Sequence, residues 1–392
     1  MKFFSLNKSK LSQQIISGIA HNDCDANLTI DRFSDGELCP IFRESVRDHH
    51  LFIIADGHSA EEIMKLMLTV DAAKRSGAKK ITVIYPYLPY SRQDKNDHIR
   101  SSIGAKMLAN MLQNAGVTRL ITLEMHSPSI QGFYDIPVIH LYGNSIFRNY
   151  VKSLGLTDVT VCPPDHGALK RNAIFAKYFT DSLFAITDKK RTKPNEVASM
   201  TITGEENIIG RNVVCIDDMG DTLGTLCKQA ELVMNTGALT FRAFLTHPVM
   251  SGEALKRLFD SKITELVVSD TIVSVYEKWN QYENMLFNEA IDVFNDELNP
   301  NSPIFSEATS QTSMIKHHND VYTDPLKITF AEAISIYRRT GDKSNFTERF
   351  IEIMQEVKEK RPKFTIVSCS DLLVNSIDRL MKKQSINELN IA

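Results

Sequence analysis

Short β-branched runs and helix-period segments take turns along most of this chain, and that alternation narrows the possible folds more than any other feature. Leu51–Ala55, Ile81–Tyr85, Leu120–Leu123, Val159–Cys162, Leu183–Ile186, Val213–Ile216, Thr240–Leu245 and Leu266–Ser269 are apolar and too short for helices, so they read as buried strands. Between them, Glu61–Ser76, Ser102–Ala115, Leu226–Thr236 and Gly252–Phe259 carry an apolar stripe at helical spacing. Gly77, Gly116 and Gly237 stand just past helix ends, where a left-handed cap is wanted. Strand, helix, strand at this spacing predicts α/β architecture with doubly wound parallel sheets. At 392 residues the chain is long enough for two such units, dividing around Tyr142–Ser153. The rhythm breaks after Ile272. Residues 273–363 turn polar and helical (Val275–Leu298, Thr329–Arg339, Asn345–Lys360), and strand character returns at Phe364–Ser368, followed by a helix at Asp371–Lys383.

Composition excludes several classes. A net charge of −3 carries no electrostatic footprint for nucleic acid or an anionic membrane. No apolar run reaches the roughly 20 residues of a membrane span. The six cysteines are scattered, without the paired spacing of a zinc site, which fits free thiols in a reducing cytoplasm. The N-terminal stretch lacks an apolar signal core. The expectation is a cytoplasmic protein with small-molecule partners, no nucleic acid and no membrane.

The chemistry concentrates at Val213-Val214-Cys215-Ile216-Asp217-Asp218-Met219-Gly220-Asp221-Thr222-Leu223-Gly224-Thr225. A buried strand delivers two adjacent carboxylates to a sheet edge, and a glycine- and threonine-bearing loop then enters a helix. Amides at such a junction converge on an anion, and Thr222 and Thr225 add hydroxyl donors. Asp217 and Asp218 suit the vicinal hydroxyls of a sugar, because carboxylates accept from a diol. Together these describe a site for a phosphorylated pentose. The plainer reading is a strand-end turn in which Asp and Thr act only as caps.

That stretch resembles the binding signature of type I phosphoribosyltransferases and of the ribose-phosphate pyrophosphokinases (phosphoribosyl diphosphate synthetases). Further motifs resemble the second family: Phe33-Ser34-Asp35-Gly36-Glu37, Tyr90-Ser91-Arg92-Gln93-Asp94-Lys95, Met125-His126 with Ile130–Pro137, Pro164-Asp165 with Lys170-Arg171, Asp188-Lys189-Lys190-Arg191, Thr246-His247-Pro248 and Ser269-Asp270-Thr271-Ile272. The resemblance implies two doubly wound domains of type I phosphoribosyltransferase type, 1–145 and 146–272 with 364–392, plus a helical insertion over 273–363. It implies ATP on Phe33, Asp35, Glu37, Arg92, Gln93 and Asp97, and a ribose 5-phosphate unit on Asp217, Asp218, Asp221, Thr222, Leu223, Gly224 and Thr225. His126 and Asp165 would hold a magnesium ion on the ATP phosphates. Glu124 stands where the family usually has Asp, which puts its share in the metal shell in doubt. Lys189 and Arg191 would lie on a loop that closes over the phosphates, with Lys189, Arg191 and His126 as catalytic groups. By themselves, a Phe in a turn is core, a lone His is a satisfied structural histidine, and a basic run is a solvated hairpin.

The implied reaction is magnesium-dependent transfer of the β,γ-diphosphate of ATP to the anomeric hydroxyl of ribose 5-phosphate, giving phosphoribosyl diphosphate and AMP. The 273–363 insert leaves from the carboxyl end of a parallel strand, the edge where ligands bind. A larger acceptor, ADP-ribose, therefore stands as an alternative, its 1-diphosphate then serving to rebuild NAD. A second alternative is an inactive regulatory relative that keeps the fold. Members of the family are commonly homo-oligomers, so a homo-oligomer is expected.

Overall fold

The computed structural model describes residues 1–19, 27–97, 99–193, 196–298 and 348–391, with the side chains of 189–193, 196–199, 294–298, 348–349 and 390–391 outside that description. Two parallel sheets organise it. The first has the order β1 (Lys2–Ser5), β4 (His50–Ile54), β5 (Lys80–Tyr85), β6 (Arg119–Leu123), β7 (Val138–Leu141), every pairing parallel. An antiparallel hairpin, β2 (Leu28–Arg32) with β3 (Leu38–Phe42), stands beside it. The second sheet has the order β15 (Lys363–Val367), β14 (Glu265–Ser269), β13 (Thr240–Pro248), β12 (Asn212–Gly220), β8 (Val159–Val161), β9 (Leu183–Phe184), again all parallel. Between β9 and β12, a ribbon of β10 (Ile186–Lys193) and β11 (Glu196–Thr203) folds back on itself as its own two-stranded sheet.

Alternation along each strand sends side chains to two faces, and both faces of both sheets are buried, as parallel sheets require. On the first sheet, Leu51, Ile53 and Val83 face α2 (Ala60–Arg75) and α3 (Gly104–Ala115). Phe52, Ile54 and Ile84 face the other way, into a cluster shared with Val214, Ile216 and Phe244 of the second sheet. This middle layer is filled by α1 (Lys10–Gly18), α4 (Asn144–Leu154), α5 (Leu169–Ala176) and α10 (Ser370–Met381). The expected division at 142–153 thus falls on α4, whose Phe147 ring meets Phe244 at 5.5 Å. The outer face of the second sheet (Val213, Cys215, Phe241, Leu266) is covered by α6 (Gly224–Asn235), α7 (Ala254–Phe259), α8 (Val275–Leu298) and α9 (Glu348–Lys360).

The flanks of the insert are therefore part of the second core. Tyr282, Leu286, Phe287, Phe350 and Ile353 are buried there, and Phe287 and Phe350 meet edge to face at 5.4 Å. Arg361 donates to both oxygens of Glu289, at 2.8 and 2.5 Å, and lies 4.2 Å over the Phe259 ring. Tyr282 hydroxyl donates to the Pro362 carbonyl at 2.8 Å, fixing the turn into β15. Helices α8 and α9 thus act as the covering layer of a crossover from β14 to β15. The helix expected at Thr329–Arg339 lies outside the described residues.

Strand order fixes where a ligand belongs. From β8 the chain moves to β9 on one side, and later to β12 on the other. The crevice at the carboxyl ends of β8 and β12 is the point where winding reverses, the place open α/β sheets keep for ligands.

Candidate active site

A cavity of about 440 Å³ opens at that reversal point. Pro164 and Asp165 line it from the end of β8, Asp217 to Thr225 from β12 and the loop after it, and Arg171 from α5. The other sheet contributes Arg92, from the loop after β5, and His126, from the loop after β6. Most of the expected site residues therefore meet in one space bounded by both sheets.

β12 runs on to Gly220, past the sequence expectation, because β13 continues beside it to Pro248. A Cβ at Gly220 would collide with the ends of the Leu245 and Leu223 side chains, so a larger residue there forces both leucines to shift. Leu223 takes a left-handed conformation, φ 58°, uncommon for a branched residue, with its side chain buried as an anchor. Helix α6 then begins at Gly224 with no side chain capping its first amides. Uncapped amides at a helix start, next to two threonine hydroxyls, form a cup for an anion.

The loop is pinned by side chains from other elements. Asp221 accepts from Arg92 Nη1 at 2.6 Å and from Ser251 Oγ, so both its oxygens are engaged. Burial works against its charge, but these two bonds outweigh burial and hold the carboxyl below its usual range. Arg257 donates to the Thr222 carbonyl at 2.9 Å. Asp221 thus reads as a strut of the loop.

Asp217 Oδ1 accepts from Arg171 Nη1 at 2.9 Å and from the Asp218 amide at 2.9 Å. Asp218 Oδ2 bonds to His126 Nδ1 at 2.7 Å. The two carboxyls divide their protons unequally. Desolvation, and then the charge of Asp218, push Asp217 up. For Asp218 burial also opposes charge, but the His126 bond and Arg171 prevail and hold it down. The Asp218 bond in turn raises His126, against its own burial.

Not every expected residue reaches the cavity. Phe33 is 54% exposed at the tip of the β2–β3 hairpin, where its amide donates to the Glu37 carbonyl at 2.9 Å and Gly36 supplies the positive φ of 96°. Asp35 Oδ1 accepts the Glu37 amide at 3.1 Å. Gln93 turns toward the start of α3, its carbonyl accepting the Ala105 amide at 3.2 Å, and Asp97 sits 3.6 Å from Lys95, both exposed. Glu124 is buried, with Arg171 Nε on one oxygen at 3.0 Å and the Gly143 amide on the other at 2.6 Å. Lys189 and Arg191 lie on β10, and their side chains are outside the described residues.

Arg171, Ser251 and Arg257 have structural parts in the site that the sequence did not assign. Each follows the carboxyl end of a strand adjoining the cavity or lies on the helix after it, and that position is the signal that finds them.

Magnesium suits hard oxygen donors, most of them supplied by phosphates and water. The carboxylates of Asp165, Asp217 and Asp218 line the cavity beside an anion cup, and His126 has a second ring nitrogen beyond the one bound to Asp218. That donor set fits. Among the described residues no three His, Cys, Asp or Glu side chains form a ready-made cage, and no helix is long and apolar enough to cross a membrane.

Comparison with known proteins identifies the family. Residues 1–116 match the model of the N-terminal domain of ribose phosphate pyrophosphokinase, and residues 166–285 that of the phosphoribosyl synthetase-associated domain. The ribose-phosphate pyrophosphokinase of Bacillus cereus is 42% identical over 286 residues, 71% of this chain and 87% of that one. The Corynebacterium ammoniagenes protein of the same name is also 42% identical, with the same coverage, and that of Chlorobaculum tepidum is 38% identical over 288 residues. The crystal structure of phosphoribosylpyrophosphate synthetase from Mycobacterium smegmatis superimposes with a TM-score of 0.68 at 24% identity, covering 97% of this chain and 99% of that one, a likeness of fold. The chain belongs to the ribose-phosphate pyrophosphokinase family and is an enzyme of that diphosphotransferase type.

Proposed function

We propose that the enzyme transfers the β,γ-diphosphate of ATP to the anomeric hydroxyl of ribose 5-phosphate. The supporting observation is one cavity that joins an uncapped helix start, a strand-end acid pair and two groups from the opposite sheet, Arg92 and His126. In this reading residues 1–145 carry the nucleotide side, and 146–272 with 364–392 carry the acceptor side. The 5-phosphate rests on the amides of residues 222–225, and Asp217 and Asp218 accept hydrogen bonds from the ribose hydroxyls. His126 and Asp165, with the acid pair, would hold magnesium, which supplies charge neutralisation on the phosphates.

The anomeric oxygen forms a bond to the β-phosphorus, and the bond from that phosphorus to the α,β-bridging oxygen breaks. AMP leaves with the bridging oxygen, and the hydroxyl proton is released. Such transfers ask the protein for positioning and charge rather than covalent chemistry. Arg92 provides a planar fork for phosphate oxygens. Lys189 and Arg191, on the β10–β11 ribbon next to the cavity, supply further cations as the ribbon closes and excludes water. Phe33, exposed on its hairpin, offers a face for adenine to stack on, and Asp35 and Glu37 polar groups to read its edge. A homo-oligomer in a reducing cytoplasm completes the reading.

The described parts of the insert line none of this cavity. Ribose 5-phosphate is therefore the first acceptor to test, and ADP-ribose, which rests on the exit of the insert at the end of β14, is the second. The test is phosphorus NMR of the enzyme with ATP, magnesium and ribose 5-phosphate. A sugar-bound diphosphate appearing with AMP is expected. ADP with a sugar monophosphate ester at C1 would mean single phosphoryl transfer and sink the proposal.

A further inference from the structure

The segment Glu124-Met125-His126 leaves the carboxyl end of β6 and is gripped by side chains from the other half of the molecule. His247 Nε2 donates to the Glu124 carbonyl at 2.9 Å. Arg171 Nε donates to Glu124 Oε1 at 3.0 Å, while Oε2 takes the Gly143 amide at 2.6 Å. The same guanidinium donates through Nη1 to Asp217 Oδ1 at 2.9 Å and stands 3.6 Å from Asp218 Oδ1. His126, two residues beyond Glu124, closes the circuit on Asp218 at 2.7 Å.

Two features make this circuit more than a surface ion pair. The Glu124 side chain is only 6% exposed and that of Arg171 15%, so neither end finds compensating water if the other is removed. Glu124 also holds a φ of +30°, a conformation that persists only where surrounding contacts over-determine it. Both carboxylate oxygens of Glu124 are engaged by protein donors, and the residue is absent from the cavity lining.

We propose that Glu124 and Arg171 are a positioning pair: they set the His126 segment of one half and the Asp217–Asp218 acid pair of the other at a single spacing, and Glu124 takes no part in binding metal. The pair presents nucleotide and acceptor to each other already aligned. A misplacement of about 1 Å at such a junction costs about 100-fold in rate. The proposal rests on the diphosphotransfer reading above. The two fail differently: a wild-type enzyme without acceptor-dependent AMP release sinks that reading, whereas failure of the pair is seen only against an active wild type.

The experiment compares wild type, Glu124→Gln, Arg171→Lys and the double variant, each with ATP, magnesium and the working acceptor. Each single change is expected to lower kcat about 100-fold, with the Michaelis constant for ATP and the half-saturating magnesium concentration little changed. The double variant should fall no further than the worse single, since both break one circuit. ATP consumed per acceptor converted should rise above one, which a mere loss of folded protein would not cause. Losses that multiply in the double variant, or a magnesium requirement raised by Glu124→Gln alone, would overturn the proposal. If Glu124→Gln does not fold, Arg171→Lys carries the test, and unchanged kcat and coupling in that variant overturn it.

Discussion

Gly220 shows how much of this site is set by single atoms. A methyl group there has no room against the Leu245 side chain of β13, and Gly220 ends β12, the strand that carries Asp217 and Asp218. Gly220→Ala is expected to destabilise the protein by about 1–3 kcal/mol, as overpacking does. Because the same shift displaces the anion cup, the Michaelis constant for the acceptor should rise more than that for ATP. Denaturant titration with initial rates checks both, and a stable variant with normal acceptor affinity would contradict the close-approach argument. Asp221 teaches the opposite lesson about reading sequence. Its type and place mark it as a ligand for the sugar phosphate, yet Arg92 and Ser251 occupy both its oxygens. Chemistry-bearing residue types are legible in a sequence, but how their hydrogen-bonding capacity is divided depends on partners distant in the chain. Arg92→Ala removes one partner and leaves Asp221 with Ser251 alone. It is expected to weaken both substrates, since Arg92 belongs to the nucleotide side and braces the acceptor loop. An effect confined to ATP would show that the brace is unimportant.

At the scale of elements, the strands and helices that the alternation predicts are present among the described residues within a residue or two, apart from the carboxyl ends of β12 and β13, which run further. The reason is physical: strands buried on both faces are continuous apolar runs, and helices carry a one-sided stripe. Weaker signals were lost. β1 is short and opens on a lysine, and of the ribbon β10–β11 only the basic run stands out, as a solvated hairpin. The role of the insert's flanks was also hidden, because helical periodicity says which face is apolar and not which sheet that face covers. Phe350 is a test of that role. It is fully buried against Phe287 over the second sheet, and the described insert stays clear of the cavity. Phe350→Ala is expected to cost about 3–5 kcal/mol. Well below its lowered melting temperature, kcat should remain near that of wild type. A variant of normal stability would mean that α9 is dispensable to the core.

The whole molecule couples its stability to pH through buried imidazoles. Burial, aided by Arg119 and Lys80, lowers His50 to about 4. Burial likewise lowers His58, His140 and His247. His140 accepts the Met125 amide on Nε2, a bond that requires the neutral ring. In the unfolded chain these groups titrate near 6.5. Below that value the unfolded chain binds more protons than the folded one, so stability present at neutral pH is lost as pH falls toward the folded values. Within the site, His126, raised by Asp218, and Asp217, pushed up to about 8 by burial, oppose the trend, two groups against four. Urea midpoints should therefore be lower at about pH 5.5 than at about pH 7.5; equal midpoints would mean that the buried rings are hydrated.

The two sheets matter to function because neither holds the cavity alone: Arg92 and His126 come from one, and the acid pair and the anion cup from the other. The most direct measurement of that claim is the initial rate of AMP release from ATP and magnesium, without acceptor, with ribose 5-phosphate and with ADP-ribose. Slow release alone and a large stimulation by ribose 5-phosphate are expected. Stimulation by ADP-ribose instead would keep the chemistry and change the acceptor. AMP release indifferent to any phosphorylated pentose would contradict the account at its centre.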